Sequence, residues 1–216
     1  ILDQTEYDAI IFLGDIVSYG PDPHLCVDLL KNEKCIVSVM GNHDYATVNI
    51  GEDCRTKWPY KPLSIVTREH ARRVLDDKQM DWLSKLKQVA SFSIENCTFY
   101  AVHGSPTDPL FGELSVHDSD SQLFAHVSHV NEQYILCAHT HIPFIRVLPT
   151  GATIINPGAV GQPRDGNRHA SCALIDLSRS YNQILRFRYD ISKTVRRIQE
   201  AGLPSEAGEM LLRGGY

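Results

Sequence analysis

Hydrophobic residues recur along the chain in short unbroken runs, each closed by small or polar residues. Ala9 to Leu13 is one such run, ending at Gly14-Asp15, and Cys35 to Met40 is another, ending at Gly41-Asn42-His43-Asp44. Runs of this kind are expected for strands buried on both faces of an α/β sheet. Between them, Pro21-Asp22-Pro23 supplies a helix start, and Leu25, Cys26, Leu29 and Leu30 form one helical stripe.

Tyr45 to Pro62 has no clean period and contains Gly51, Trp58 and Pro59, which predicts an irregular loop or lid. Thr67 then marks the start of a helix carrying Ala71, Val74 and Leu75. Asp77 is positioned to cap a second one with Met80, Leu83 and Leu86 inward. Val89 to Val102 reads as two strands with a turn near Glu95-Asn96, the second ending at His103-Gly104. Leu123, Phe124, Val127 and Val130 mark another helix. Tyr134 to Ala138 is a further buried strand, ending at His139-Thr140-His141.

Beyond Ile142 the pattern changes to short strands around Phe144 to Leu148, Ala152 to Ile155, Ser171 to Leu177 and Gln183 to Tyr189. Gly, Pro and Asn turns separate them, which predicts antiparallel pairing in a second sheet. Ile191, Val195 and Ile198 form a helical stripe closed by Gly202, and Leu211-Leu212 fall in a short terminal helix or tail. No repeat or interdomain linker interrupts the pattern, so residues 1–216 are expected to form a single domain.

Composition narrows the function classes. The 216 residues are 43% hydrophobic and 22% charged, ordinary globular material with enough length for a real core. A net charge of −5 argues against stable nucleic-acid binding, which needs clustered positive charge. The six cysteines contain no C-x-x-C pair and most lie in apolar segments, so they are read as reduced thiols of a cytoplasmic protein. No apolar run is long enough to span a membrane.

The residues at the strand ends carry the chemistry. Asp15, Asn42, His103, His139 and His141 form a borderline-hard oxygen and nitrogen donor set, suited to Mn²⁺, Fe or Zn²⁺. In a His-Thr-His segment running extended, both histidines would face one side and Thr140 the other. Two metals about 3.5–4 Å apart would lower the pKa of a shared water and clamp the oxygens of a displacement at phosphorus. His43 is placed in sequence to protonate the leaving oxygen, with Asp44 orienting its ring. A lone histidine after a strand is usually only a polar end; four occurrences in one context change that judgement. His24, His70, His117, His126, His129 and His169 lack the context and are read as surface or partly buried residues.

On these segments the chain resembles the calcineurin-like metallophosphoesterase superfamily, in particular its small bacterial and archaeal phosphodiesterase-like branch. The carrying motifs are Gly14-Asp15-Ile16-Val17-Ser18-Tyr19-Gly20-Pro21-Asp22-Pro23, Gly41-Asn42-His43-Asp44, Val102-His103-Gly104-Ser105-Pro106, His139-Thr140-His141 and the stretch from Asn156 to Gly166. The resemblance implies an α/β fold, a four-layer α/β/β/α sandwich of two mixed sheets flanked by helices, with two divalent ions at the strand ends. Manganese is the expected metal, with Fe, Zn or Ni as alternatives. Asp15 would bridge the ions; Asn42, His103 and His139 would complete one site, and His141 would belong to the other. His43 would be the leaving-group acid with Asp44 as its partner, and Asn156 and Arg164 would meet the substrate. A salt bridge from Arg164 to Asp165 is the competing assignment.

Three departures stand out. The family's first motif, Asp-x-His, is missing, and Ile1 to Tyr7 look like the end of the helix that follows the missing first strand. In such a truncated chain the first metal site would retain only Asp15 and His141, and exposed apolar surface would favour oligomerisation. Ala138 replaces a usual Gly and Ala159 a common Ser. The expected function is hydrolysis of a small phosphodiester or nucleotide-type substrate. The alternatives are a noncatalytic protein-binding scaffold of the same fold and a one-metal fragment of low activity.

Overall fold

The computed structural model describes residues 6–33 and 35–215, which fold as two compact units. The expected helix end at 1–7 falls mostly outside the described residues. The first unit comprises residues 1–87 and 190–209, and the second residues 88–189 and 210–216.

In the first unit, β1 (Ile10–Phe12) pairs in parallel with β2 (Cys35–Ser38), and α1 (Pro23–Asn32) connects them. Pro23 occupies the first turn of α1, where its missing N–H costs nothing. Three further helices follow: α2 (Asn42–Val48), α3 (Lys61–Val74) and α4 (Asp77–Ser84). α6 (Ile191–Glu200) belongs to this unit as well. Val17, Val27, Ala71, Leu75 and Leu83 form the core, so the stripes read on α3 and α4 face inward, whereas the one read on α1 does not: Leu25 and Leu29 are 55% and 58% exposed, and Val27 is the α1 residue that packs inside.

Two expectations change here. Tyr45 to Val48 is helical rather than loop, because α2 begins directly after β2, and α3 starts at Lys61-Pro62 rather than at Thr67. Proline in the first turn was the start signal that outweighed Thr67. Similarly, Asp76 rather than Asp77 caps α4, its side chain accepting from the Gln79 amide at 2.8 Å.

The second unit holds a five-stranded mixed sheet in the order β3-β4-β5-β7-β6. Its strands are β3 (Val89–Ile94), β4 (Cys97–Val102), β5 (Tyr134–Leu136), β6 (Phe144–Val147) and β7 (Thr153–Asn156). β3 and β4 are an antiparallel hairpin, and β4, β5 and β7 run parallel. β8 (Ala170–Asp176) and β9 (Tyr181–Phe187) form a separate antiparallel pair, while α5 (Asp120–Val127) supplies Leu123 and Val127 to the core.

The strands after Ile142 therefore do not share one antiparallel sheet. Thr153, Ile154, Ile155 and Asn156 of β7 are all buried, which is the signature of a central strand and places β7 beside β5. α7 (Ser205–Arg213) closes the chain. No described helix is long and apolar enough to cross a membrane.

Candidate metal centre

Parallel pairing places the ligand-bearing loops of each unit side by side, at the carboxyl ends of neighbouring strands. In the first unit, Phe12 of β1 is in register with Ser38 of β2, so Asp15 and the Gly41-Asn42-His43-Asp44 turn emerge together. The approach is close enough to demand glycine. A Cβ at Gly41 would overlap Asp15, lying 2.7 Å from its Cγ.

Asp44 occupies the third position of α2, and its carboxylate accepts the backbone N–H of Gly41 at 2.9 Å, closing the helix start. The same carboxylate accepts the N–H groups of Asp15 at 2.7 Å and Ile16 at 3.0 Å. In turn, Asp15 Oδ1 accepts from the His43 N–H at 2.9 Å. The expected bond from Asp44 to the His43 ring is replaced by these three: the carboxylate braces the Asp15 loop. Asp15 needs that brace, because its φ of 61° is a left-handed conformation that few residues other than glycine adopt cheaply.

Asn42 donates its Nδ2 to the Cys54 carbonyl at 2.6 Å, which fixes the amide. His43 is 3% exposed. Its Nε2 lies 3.5 Å from Thr56 Oγ1, its ring sits edge-on to Tyr19 with centroids 5.0 Å apart, and its Nδ1 has no hydrogen-bond partner among the described residues. Burial alone would raise the Cys54 thiol, but hydrogen bonding and charge from His43, with bonds from Thr56 and Ser64, bring it down to about 6. Cys54 is a residue that sequence reasoning placed only among the core thiols; its segment carries no period that would have marked it.

The second unit builds its cluster the same way. Ala101 of β4 is in register with Leu136 of β5, and the Ala138 N–H bonds the His103 carbonyl at 2.8 Å, so the two histidine loops run together. His103 Nε2 and His139 Nδ1 approach to 3.2 Å. His141 donates Nδ1–H to the Gln162 carbonyl at 2.6 Å, which fixes its ring.

The His-Thr-His segment is not extended. His139 and His141 both have left-handed backbones, with φ of 63° and 61°, so strand alternation does not govern where they point. Ala138, where a glycine was the expected residue, has no positive φ, and its methyl is tolerated for that reason.

Asn156 was expected beside the substrate and is instead 0% exposed. Its Nδ2 donates to the Ala138 carbonyl at 2.8 Å and to Thr140 Oγ1 at 3.0 Å, and its Oδ1 accepts from Gly158 N at 2.9 Å. Those bonds make it a brace of the histidine turn. Arg164 donates Nη2 to Gln162 Oε1 at 2.8 Å. Asp165 pairs with Arg186, so the competing salt bridge to Arg164 is not the one formed.

The donor chemistry fits divalent cations. Each cluster offers oxygen or imidazole nitrogen, and the non-coordinating ends of Asn42 and His141 are already tied to backbone carbonyls.

Comparison with known proteins agrees with the fold and these motifs. The calcineurin-like phosphoesterase superfamily domain matches residues 1–180. An uncharacterized protein of Methanocaldococcus jannaschii, MJ0912, is 31% identical over 220 residues, covering 95% of this chain and 86% of that protein. The crystal structure of a metallophosphoesterase from Sphaerobacter thermophilus is similar with a TM-score of 0.79 and 28% identity, over 98% of this chain and 90% of that one. The hypothetical protein PH1004 of Pyrococcus horikoshii OT3 shares the fold, with a TM-score of 0.83 and 22% identity over 97% of this chain and 86% of its own. Fold and motifs together define a metal-dependent phosphoesterase. The chain belongs to the calcineurin-like phosphoesterase superfamily.

Proposed function

We propose that this chain hydrolyses a small phosphodiester or nucleotide-type substrate with the help of divalent metal, for which Asp15, Asn42, His103, His139 and His141 would be ligands. Manganese is the expected ion. The reading is carried by the way donor residues are anchored: Asn42 and His141 spend their non-coordinating nitrogens on backbone carbonyls at 2.6 Å each, which turns Oδ1 and Nε2 into prepared ligand atoms. A scaffold that only binds protein has no need of that preparation.

When bound, the metal would acidify the attacking water and offset charge on the phosphoryl oxygens. The chain's own contribution is at the leaving group. His43 carries a proton to the departing oxygen. Arg164 contributes positive charge toward the phosphate, its guanidinium steadied by Gln162. The net charge of −5 keeps the substrate small rather than polymeric nucleic acid.

The test is turnover of bis(4-nitrophenyl) phosphate by protein stripped of metal and then supplied with Mn²⁺. Activity that appears with the metal is the expected result, and on a nucleoside diester, whose alkoxide leaving group needs a proton, it should fall about 10²-fold or more in His43→Ala while metal binding persists. No turnover with Mn²⁺, Fe²⁺, Zn²⁺ or Ni²⁺ on diester or monoester substrates would refute it.

A further inference from the structure

The reaction assigned above needs His43 in one orientation, and Asp44 does not provide it. Its carboxylate is engaged with the N–H groups of Gly41, Asp15 and Ile16. The polar contact to the ring comes from the segment between α2 and α3. Thr56 Oγ1 lies 3.5 Å from His43 Nε2, and 3.1 Å from Cys54 Sγ.

Cys54 is itself held from α3. Ser64 Oγ and Arg68 Nη1 each lie 3.7 Å from its sulfur, and Ser64 is fixed by its own bond to the Lys61 carbonyl at 2.8 Å. Arg68 also reaches Asp53 at 3.6 Å. The carbonyl of the same Cys54 anchors Asn42. One short segment thus touches both a metal ligand and the proton donor.

We propose that Cys54 and Thr56 are positioning residues for His43: through the contact of Thr56 Oγ1 with Nε2 they fix the orientation of the ring from which it serves the leaving oxygen. Tyr19 packs edge-on against the ring with centroids 5.0 Å apart, from a turn in which Ser18 and Tyr19 have left-handed backbones, φ 76° and 58°. No bond is made or broken by either positioning residue. Because Cys54 meets Asn42 only through its backbone carbonyl, side-chain substitutions at 54 spare the metal ligand's anchor.

This inference rests on the phosphoesterase reading, and leaving-group dependence separates the two. A nitrophenolate departs without help from an acid, whereas an alkoxide needs a proton. Thr56→Val and Cys54→Ala are therefore expected to lower kcat on a 4-nitrophenyl alkyl-free diester only a few-fold, and on a dialkyl-type or nucleoside diester about tenfold more. KM and bound manganese should stay unchanged. Thr56→Ser and Cys54→Ser should restore most of the loss.

An equal loss on both substrates, or a rise in KM with kcat intact, overturns the proposal. So does failure of the serine variants to recover while they melt like the parent. If the parent protein turns over neither substrate, the phosphoesterase reading has failed, and the positioning claim is judged on the metal-free protein by ¹⁵N NMR of the imidazole. Thr56→Val should then move the His43 Nε2 resonance and leave Nδ1 in place; an unmoved Nε2 contradicts it.

Discussion

Asp44 holds Asp15 by its backbone, accepting the Asp15 N–H on Oδ2 at 2.7 Å while the same oxygen caps α2 through Gly41. The bond fixes a residue in a left-handed conformation at the start of the metal loop. A residue proposed as a metal ligand is thereby kept in place by a carboxylate that is not itself proposed as one.

Asp44→Asn should consequently behave as a stability variant first. An amide offers one acceptor oxygen where the carboxylate serves three donors, so a loss of about 2–3 kcal/mol is expected in urea unfolding of the metal-free protein. Weaker manganese binding should accompany it. Unchanged unfolding with activity lost would return Asp44 to the role of orienting His43.

Gly41→Ala tests the close approach of the two loops. The backbone at Gly41, φ −91°, suits any residue, so the entire effect comes from the methyl meeting Asp15. Overpacking of this kind costs about 1–3 kcal/mol. Denaturant unfolding should register it even without metal; a variant as stable as the parent would show that the loops separate freely.

The left-handed backbone at His139 makes an opposite pair of predictions for neighbouring positions. His139→Gly should be more stable than His139→Ala by about 1 kcal/mol, because only glycine adopts φ 63° without strain. Ala138→Gly should gain nothing and lose about 0.5–1 kcal/mol, since its backbone is ordinary. Thermal melts of the three variants decide the matter, and equal stability of the two His139 variants would contradict it.

Cys137 links stability to pH. Complete burial pushes its thiol from 9.0 up to about 12. A raised pKa means the folded chain retains a proton that the unfolded chain gives up, so the contribution is intact below pH 9 and is lost as pH rises toward 12. The stability advantage of the parent over Cys137→Val, measured by urea unfolding, should therefore shrink between pH 8 and pH 10.5. A constant difference would contradict it.

Much of this was legible in the sequence because the ligands sit at strand ends. The apolar runs before Gly14 and Gly41, and the turns at His103 and His139, mark positions that pairing in parallel brings together. What remained hidden depends on backbone conformation and distant partners. Left-handed φ at Asp15, His139 and His141 leaves no trace in hydrophobic periodicity. Asn156 reads as a polar loop residue, yet its amide is wholly used under the histidine turn. Asp44 was partly readable, since an acid three residues after Gly41 is a helix-start pattern. Cys54 was not, because its contacts lie 11 and 14 residues away, at His43 and Arg68.

The central claim is that the ligands of both units serve metal binding, and metal content tests it most directly. Protein loaded with manganese and dialysed against metal-free buffer should retain at least about one equivalent by inductively coupled plasma emission. Asn42→Ala and His103→Ala should each lower that content. A parent protein that dialyses free of metal, or metal content that neither substitution changes, would contradict the account.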